Sequence, residues 1–236
     1  MDSDRLARVA DVLGDVGGVG GARVLERLVI LCVDMLSVTG GVIAVIGDGQ
    51  HRGAVAVSDQ TYGAVDELQF SLGEGPCITA DRSAGPVLEP DLASAVEQWP
   101  AFVAAALDHG VRAAFAFPLR TGAIHLGVLS LYRDTPGDLD GTDLRDAIAL
   151  TQIATHLLLE LEAGLASGMF PDRVAEIVDH RAHVHQATGM IAAQLDVDVA
   201  TALVRLRAFA WSRDRSIDVV AADVVARLLR FDDEAS

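Results

Sequence analysis

The short apolar runs that read as strands end at Arg133, and beyond it the apolar runs keep helical spacing. Residues 142–165 put Leu144, Ile148, Ile153, Leu157, Leu158 and Leu161 on overlapping faces of one long helix. The string Val184-His185-Gln186-Ala187-Thr188-Gly189-Met190-Ile191 resumes a helical pattern broken by a polar patch, and helical runs follow over 202–211 and 219–230. Upstream, the spacing predicts a helix over 22–36, strands over 42–46 and 54–57, and a short helix over 60–68. A loop over 70–77 leads into a helix with Pro76 in its first turn. A short strand over 85–88, a helix over 99–109 and strands over 111–119 and 124–133 complete the block. Such an order describes an α+β unit, an antiparallel sheet flanked by helices, followed by a three-helix unit. The expected division is 1–21 (a short helix and a glycine-rich break), 22–167 and 168–236, with the boundary near Gly168.

Turn chemistry supports the pairings: Gly47-Asp48-Gly49 reads as one hairpin turn and Thr121-Gly122 as another. In the helical unit, Pro171 opens the first helix, and Val174, Ile177, Val178, Ala182, Val184, Met190 and Ile191 supply its buried stripe. Asp198 caps the second helix, which buries Ala202, Leu203, Leu206 and Phe209 or Ala210. Ser216 or Asp218 caps the third, which buries Val220, Val224, Val225 and Leu228. Three helices of this size need support, from the preceding long helix or from a second copy. Leu157, Leu158, Leu159 and Leu161 crowd adjacent faces, so at least one is expected to be stranded in a monomer, which argues for a homodimer.

Chemistry is limited by what is missing. All 18 basic residues counted with lysine are arginines, so a Walker A loop and a Schiff-base lysine are excluded. Two cysteines, Cys32 and Cys77, do not make a disulfide framework or a zinc site. No catalytic set is legible, and neither a metal nor a cofactor is expected. No apolar run is long enough for a membrane span, and the first residues lack the apolar stretch of a signal peptide, so a cytosolic location is expected. The net charge of −16 speaks against nucleic acid for the whole chain. By segment it speaks less: residues 1–172 hold 10 Arg and 24 acids, whereas residues 173–231 hold 8 Arg and 7 acids.

With Leu72-Gly73-Glu74-Gly75-Pro76-Cys77, Ala116-Phe117-Pro118-Leu119 and Gly127-Val128-Leu129-Ser130-Leu131-Tyr132, the front unit resembles a GAF domain. The three helices over 170–231 resemble the ANTAR domain, the RNA-binding module of bacterial transcription antiterminators. Together they look like a GAF–ANTAR regulator of the actinobacterial type. The common first-helix motif of that family is Gln-Ala-Lys-Gly. Here Gln186, Ala187 and Gly189 match, and Thr188 takes the lysine position.

The resemblance implies paired RNA hairpins with short loops as the target. Candidate RNA-binding residues are His185, Gln186, Ala187, Thr188, Gly189, Arg205, Arg207, Arg213 and Arg215. Ala187 and Gly189 serve equally well for close helix packing, and each arginine alone also reads as part of a solvated face. Trp211 reads first as a core or interface residue and second as a stacking platform. The resemblance further implies a small-molecule pocket between sheet and helices, for which Cys77, Trp99, Phe115, Phe117 and Tyr132 are candidates, each also a reasonable core residue. The chain is thus expected to be an RNA-binding antitermination regulator. A DNA-binding helical regulator and a dimeric scaffold without RNA binding are the alternatives. The few residues between the long helix and Pro171 predict that the two units are energetically coupled.

Overall fold

The computed structural model describes residues 21–47, 50–166, 182–213 and 215–231. The expected short helix at the start of residues 1–21, the turn at Asp48-Gly49, the connection through Gly168 and Pro171, and the stripe residues Val174, Ile177 and Val178 lie outside the described residues. The chain divides into two compact units, Met1–Ile177 and Val178–Ser236.

In the first unit, helix α1 (Gly21–Met35) leads into β1 (Gly40–Gly47) and β2 (Gln50–Val57). Helices α2 (Gln60–Leu72) and α3 (Pro76–Ser83) follow, then β3 (Val87–Glu89), a 3₁₀ turn (Leu92–Ala95) and α4 (Pro100–Asp108). Strands β4 (Ala113–Thr121) and β5 (Ile124–Arg133) and the long helix α5 (Gly141–Ala166) close it. The sheet order is β2-β1-β5-β4-β3, antiparallel throughout. Helix α2 runs four residues beyond the expected 60–68. Phe70, Ser71 and Leu72 close that helix, and the loop shrinks to Gly73–Gly75, because Gly73 takes the left-handed conformation (φ 72°) that stops it.

Strand pairing sorts the core into two faces. Ile43 pairs with Leu129 and Leu129 with Phe117, while Phe115 pairs with Leu131. Paired residues share a face, and these are buried with α1 and α5 in one apolar cluster. The alternate set, among them Val42, Ala114 and Tyr132, faces α2 and α4, and Ala116 and Val128 face α3. The result is a three-layer sandwich of helices, sheet and helices. Leu157, Leu158 and Leu161 of α5 are all buried in the α1 cluster, with Leu159 packed against it. None is stranded, so the crowding argument for a dimer fails: α1 and α5 pack on each other and absorb the leucines.

The second unit has helices α6 (Ala182–Leu195), α7 (Val199–Ser212) and α8 (Ile217–Val225). Asp198 caps α7, accepting from Thr201 N at 2.9 Å, and these hydrogen bonds hold its carboxyl below the usual range. Ser216 caps α8. The shared core is built from Val184, Ala187, Ile191, Ala202, Leu206, Ala210, Ile217, Val220, Ala221 and Val224. Leu228, expected inside, is 80% exposed. Helix α8 stops at Val225, and Arg227 turns left-handed (φ 60°), which swings Leu228 outward. Phe231 enters instead, its ring 5.1 Å from that of Phe209 and its N–H donated to Gln194 Oε1.

Candidate functional site

Two regions gather polar and aromatic side chains beyond what packing alone requires. The first is the sheet face under α2, α3 and α4. Gln69, fully buried, donates from Nε2 to Tyr132 Oη at 2.9 Å and accepts Cys77 N–H on Oε1 at 2.7 Å. Tyr62 stacks on Tyr132 with centroids 5.5 Å apart, and its hydroxyl donates to Thr39 Oγ1. A side chain at Gly40 would occupy the same space as the Tyr62 ring. Trp99 Nε1 donates to Thr79 Oγ1 at 3.0 Å. Burial pushes the Tyr132 hydroxyl well above its ordinary pKa, and the negative charge of buried Asp66 and the nearby Cys77 add to the shift, so Tyr132 stays protonated.

The string 72–77 is the clasp of this region. Glu74 Oε1 accepts Phe102 N–H at 2.8 Å, capping α4, whose own N-cap Trp99 has no side-chain acceptor. Gly75, at φ 125°, lies where a Cβ would sit 2.6 Å from Gln69 Oε1. Three helices are thereby joined through six residues.

The five pocket candidates do not come together. Cys77, Trp99 and Tyr132 lie on this face, but Phe115 and Phe117 point to the α1/α5 side. Strand alternation is the cause: Tyr132 pairs with Ala114, one residue out of phase with both phenylalanines. Gln69, Thr79, Tyr62 and Asp66 carry no local mark in the sequence, since they sit within helical runs. The cysteines also lie apart, Cys32 on the α1 side and Cys77 opposite. Burial pushes the Cys32 thiol up to about 12, leaving it a poor nucleophile.

The second region is the outer surface of the helical unit. Gln186 and Gly189 are exposed one turn apart on α6, and His185 is half-buried. Ala187 and Thr188 are buried, and Thr188 Oγ1 donates to Val184 O at 2.6 Å. Those two candidates belong to the core: the inward face of α6 runs through Val184, Ala187, Thr188 and Ile191. On α7, Arg205 is exposed and Arg207 half-buried. Arg213 caps the helix with its guanidinium 5.4 Å from the Phe209 ring centroid. Arg215 is paired with Asp223 of α8. Trp211, expected as a core or interface residue, is not in the core: it is 64% exposed.

A family profile described as the GAF domain matches residues 22–161, more than half of the chain, and one described as the ANTAR domain matches residues 172–225. The chain belongs to the GAF domain family and carries an ANTAR domain behind it. GAF and ANTAR are regulatory domains, and their succession makes the chain a regulator of the ANTAR type. Solved structures agree on the fold of the GAF domain. A GAF domain from an Acinetobacter phosphoenolpyruvate-protein phosphotransferase is 16% identical, with a TM-score of 0.55 over 69% of this chain and 98% of that one. The GAF domain of the Coxiella burnetii phosphoenolpyruvate-protein phosphotransferase is 16% identical, with a TM-score of 0.51 over 70% of this chain and 96% of that one. Free methionine-R-sulfoxide reductase from Neisseria meningitidis, solved with its substrate, is 13% identical, with a TM-score of 0.50 over 70% of this chain and 95% of that one. No curated protein sequence matches the chain. Among the described residues, no single helix of the GAF or ANTAR domain is long and apolar enough to cross a membrane.

Proposed function

We propose that this regulator binds RNA through its ANTAR domain, under control of its GAF domain, to prevent transcription termination. The observation that carries this reading is charge sorting. Residues 199–213, α7 with its C-terminal cap, hold Arg205, Arg207 and Arg213 and, between the flanking Asp198 and Asp214, not one carboxylate, in a chain of net charge −16. Among the described residues no carboxylate pairs with Arg205 or Arg213. The surface we assign to RNA comprises Arg205, Arg207 and Arg213 on α7 with Gln186 and Gly189 on α6, and His185 at its margin. Arg215, held by Asp223, contributes less. A pair of hairpins is the target that family membership suggests. The chain has one ANTAR domain, so holding two hairpins takes two chains, and we infer a homodimer on that ground. The face around Gln69, Cys77, Trp99 and Tyr132 is where a small ligand of the GAF domain would act.

The test is salt dependence. Each phosphate contact removed should lower the slope of log affinity against log salt by about 0.7 to 0.9. Arg205→Ala with Arg213→Ala removes two contacts from each chain of the dimer and is therefore expected to flatten the slope by about 3 for a two-hairpin RNA, with circular dichroism unchanged. An unchanged slope places the RNA surface elsewhere. Better competition by duplex DNA than by hairpin RNA makes the protein a DNA regulator, and no binding to either leaves a scaffold.

Gly189 gives a second, independent check. A Cβ there would meet nothing within 4 Å, so the fold has no need of glycine at this helical position. Gly189→Ala is expected to stabilise the ANTAR domain by about 0.5 to 1 kcal/mol, the usual helical difference. If RNA approaches this face closely, the same change weakens binding. Urea melts and RNA titrations of the variant read the two effects separately, and tighter or equal binding removes Gly189 from the interface.

A further inference from the structure

We infer that Trp211 is a stacking platform for an unpaired RNA base, with arginines on both sides to hold the flanking phosphates. The inference rests on the RNA reading above and adds the recognition element to it. The chain's two tryptophans have opposite surroundings. Trp99 is buried and donates its indole N–H to Thr79, whereas Trp211 is 64% exposed on α7.

The helical repeat sets what surrounds the indole. Val204 and Ala208, seven and three residues before it, continue the same line along α7, and both are exposed, Val204 by 61%. Arg207, four residues before, flanks this line on one side, and Arg205 lies beyond it on the other. The strip is therefore about one ring wide, apolar along its axis and cationic at both edges. Aromatic faces bind bases of any sequence, and guanidinium groups bind phosphates and stack on bases. A protein partner would also accept an exposed tryptophan, but an apolar strip with cations on each flank and no carboxylate along the helix is complementary to a polyanion. Duplex nucleic acid keeps its bases stacked on each other, so the occupant is an unpaired base of a hairpin loop.

The probe is a two-hairpin RNA selected on the full-length protein from a pool with randomised short loops, carrying 2-aminopurine at single loop positions. The wild-type protein is expected to bind it and to change the emission of at least one loop aminopurine. Trp211→Ala is expected to lose about 10- to 100-fold in affinity, the range for removal of one base-stacking ring. The aminopurine response should vanish with it. Trp211→Phe should keep both within about threefold. Trp211→Gln, a good helix former, repeats the loss without weakening α7. Wild-type affinity in Trp211→Ala and Trp211→Gln, with Arg205→Ala and Arg213→Ala still damaging, overturns the platform and leaves the RNA reading standing. A fall in sedimentation mass without a change in RNA affinity also overturns it, by making this face a protein interface. Failure of the wild-type protein to select any RNA overturns the platform and the RNA reading together.

Discussion

Replacing Gly75 by alanine is expected to destabilise the GAF domain by about 3 kcal/mol or more, the combined scale of a strained backbone and an overpacked core. At φ 125° and ψ 170° the residue occupies a region that side chains rarely adopt. The added methyl would lie 2.6 Å from Gln69 Oε1 and 2.7 Å from Gln69 Cγ. A flexible surface glutamine would simply step aside. Gln69 cannot do so cheaply, because it is fully buried and bonded at both ends of its amide. Urea denaturation of Gly75→Ala beside Gly85→Ala, where a Cβ meets nothing within 4 Å, isolates the effect. Equal midpoints for the two variants would show that the clasp yields without loss.

Gln69→Leu should be comparably damaging, by about 3 kcal/mol, since it strips partners from two buried groups at once. Tyr132 Oη loses a donor and Cys77 N–H loses its acceptor. Leucine matches much of the glutamine's volume, so packing changes little and the loss reports mainly on unsatisfied polar groups. A double-mutant cycle sharpens the test. Tyr132→Phe should be milder in the Gln69→Leu background than in the wild type, because the phenyl ring leaves no hydroxyl behind and no glutamine amide is waiting for one. Strict additivity of the two changes would mean that Gln69 and Tyr132 act independently, despite the 2.9 Å between them.

Both variants act on the face we assign to a GAF ligand, and this links stability to regulation. Tyr62, Tyr132 and Gln69 fill the space between sheet and α2 with their own stacking and hydrogen bonds. A ligand could act there only by binding one arrangement of these side chains better than another.

Much of this protein follows from its sequence. Short apolar runs over 42–46, 54–57, 111–119 and 124–133, separated by glycine-bearing turns, marked the central strands, and helical spacing from residue 142 onward marked α5 to α8. Local chemistry marked Pro76 at the start of α3 and Asp198 at the start of α7. The string from Leu72 to Cys77 was legible as a motif, but its reason was not. Gly75 is required by a glutamine six residues earlier, and Glu74 by an N–H on another helix. Nor did the sequence show which aromatic rings share a layer. Phe115, Phe117 and Tyr132 look alike in an apolar strand, and only the register of β4 against β5 sends Tyr132 to the face opposite the two phenylalanines. The helical domain repeats the lesson. Periodicity defines the faces of α6 and α7 but not which face meets a neighbour, so Ala187 and Thr188 went inward while Trp211 stayed in solvent. Local spacing determines secondary structure because backbone sterics and hydrogen bonds act between near neighbours. Burial is decided by contacts between distant segments, and those exist only once the chain has packed.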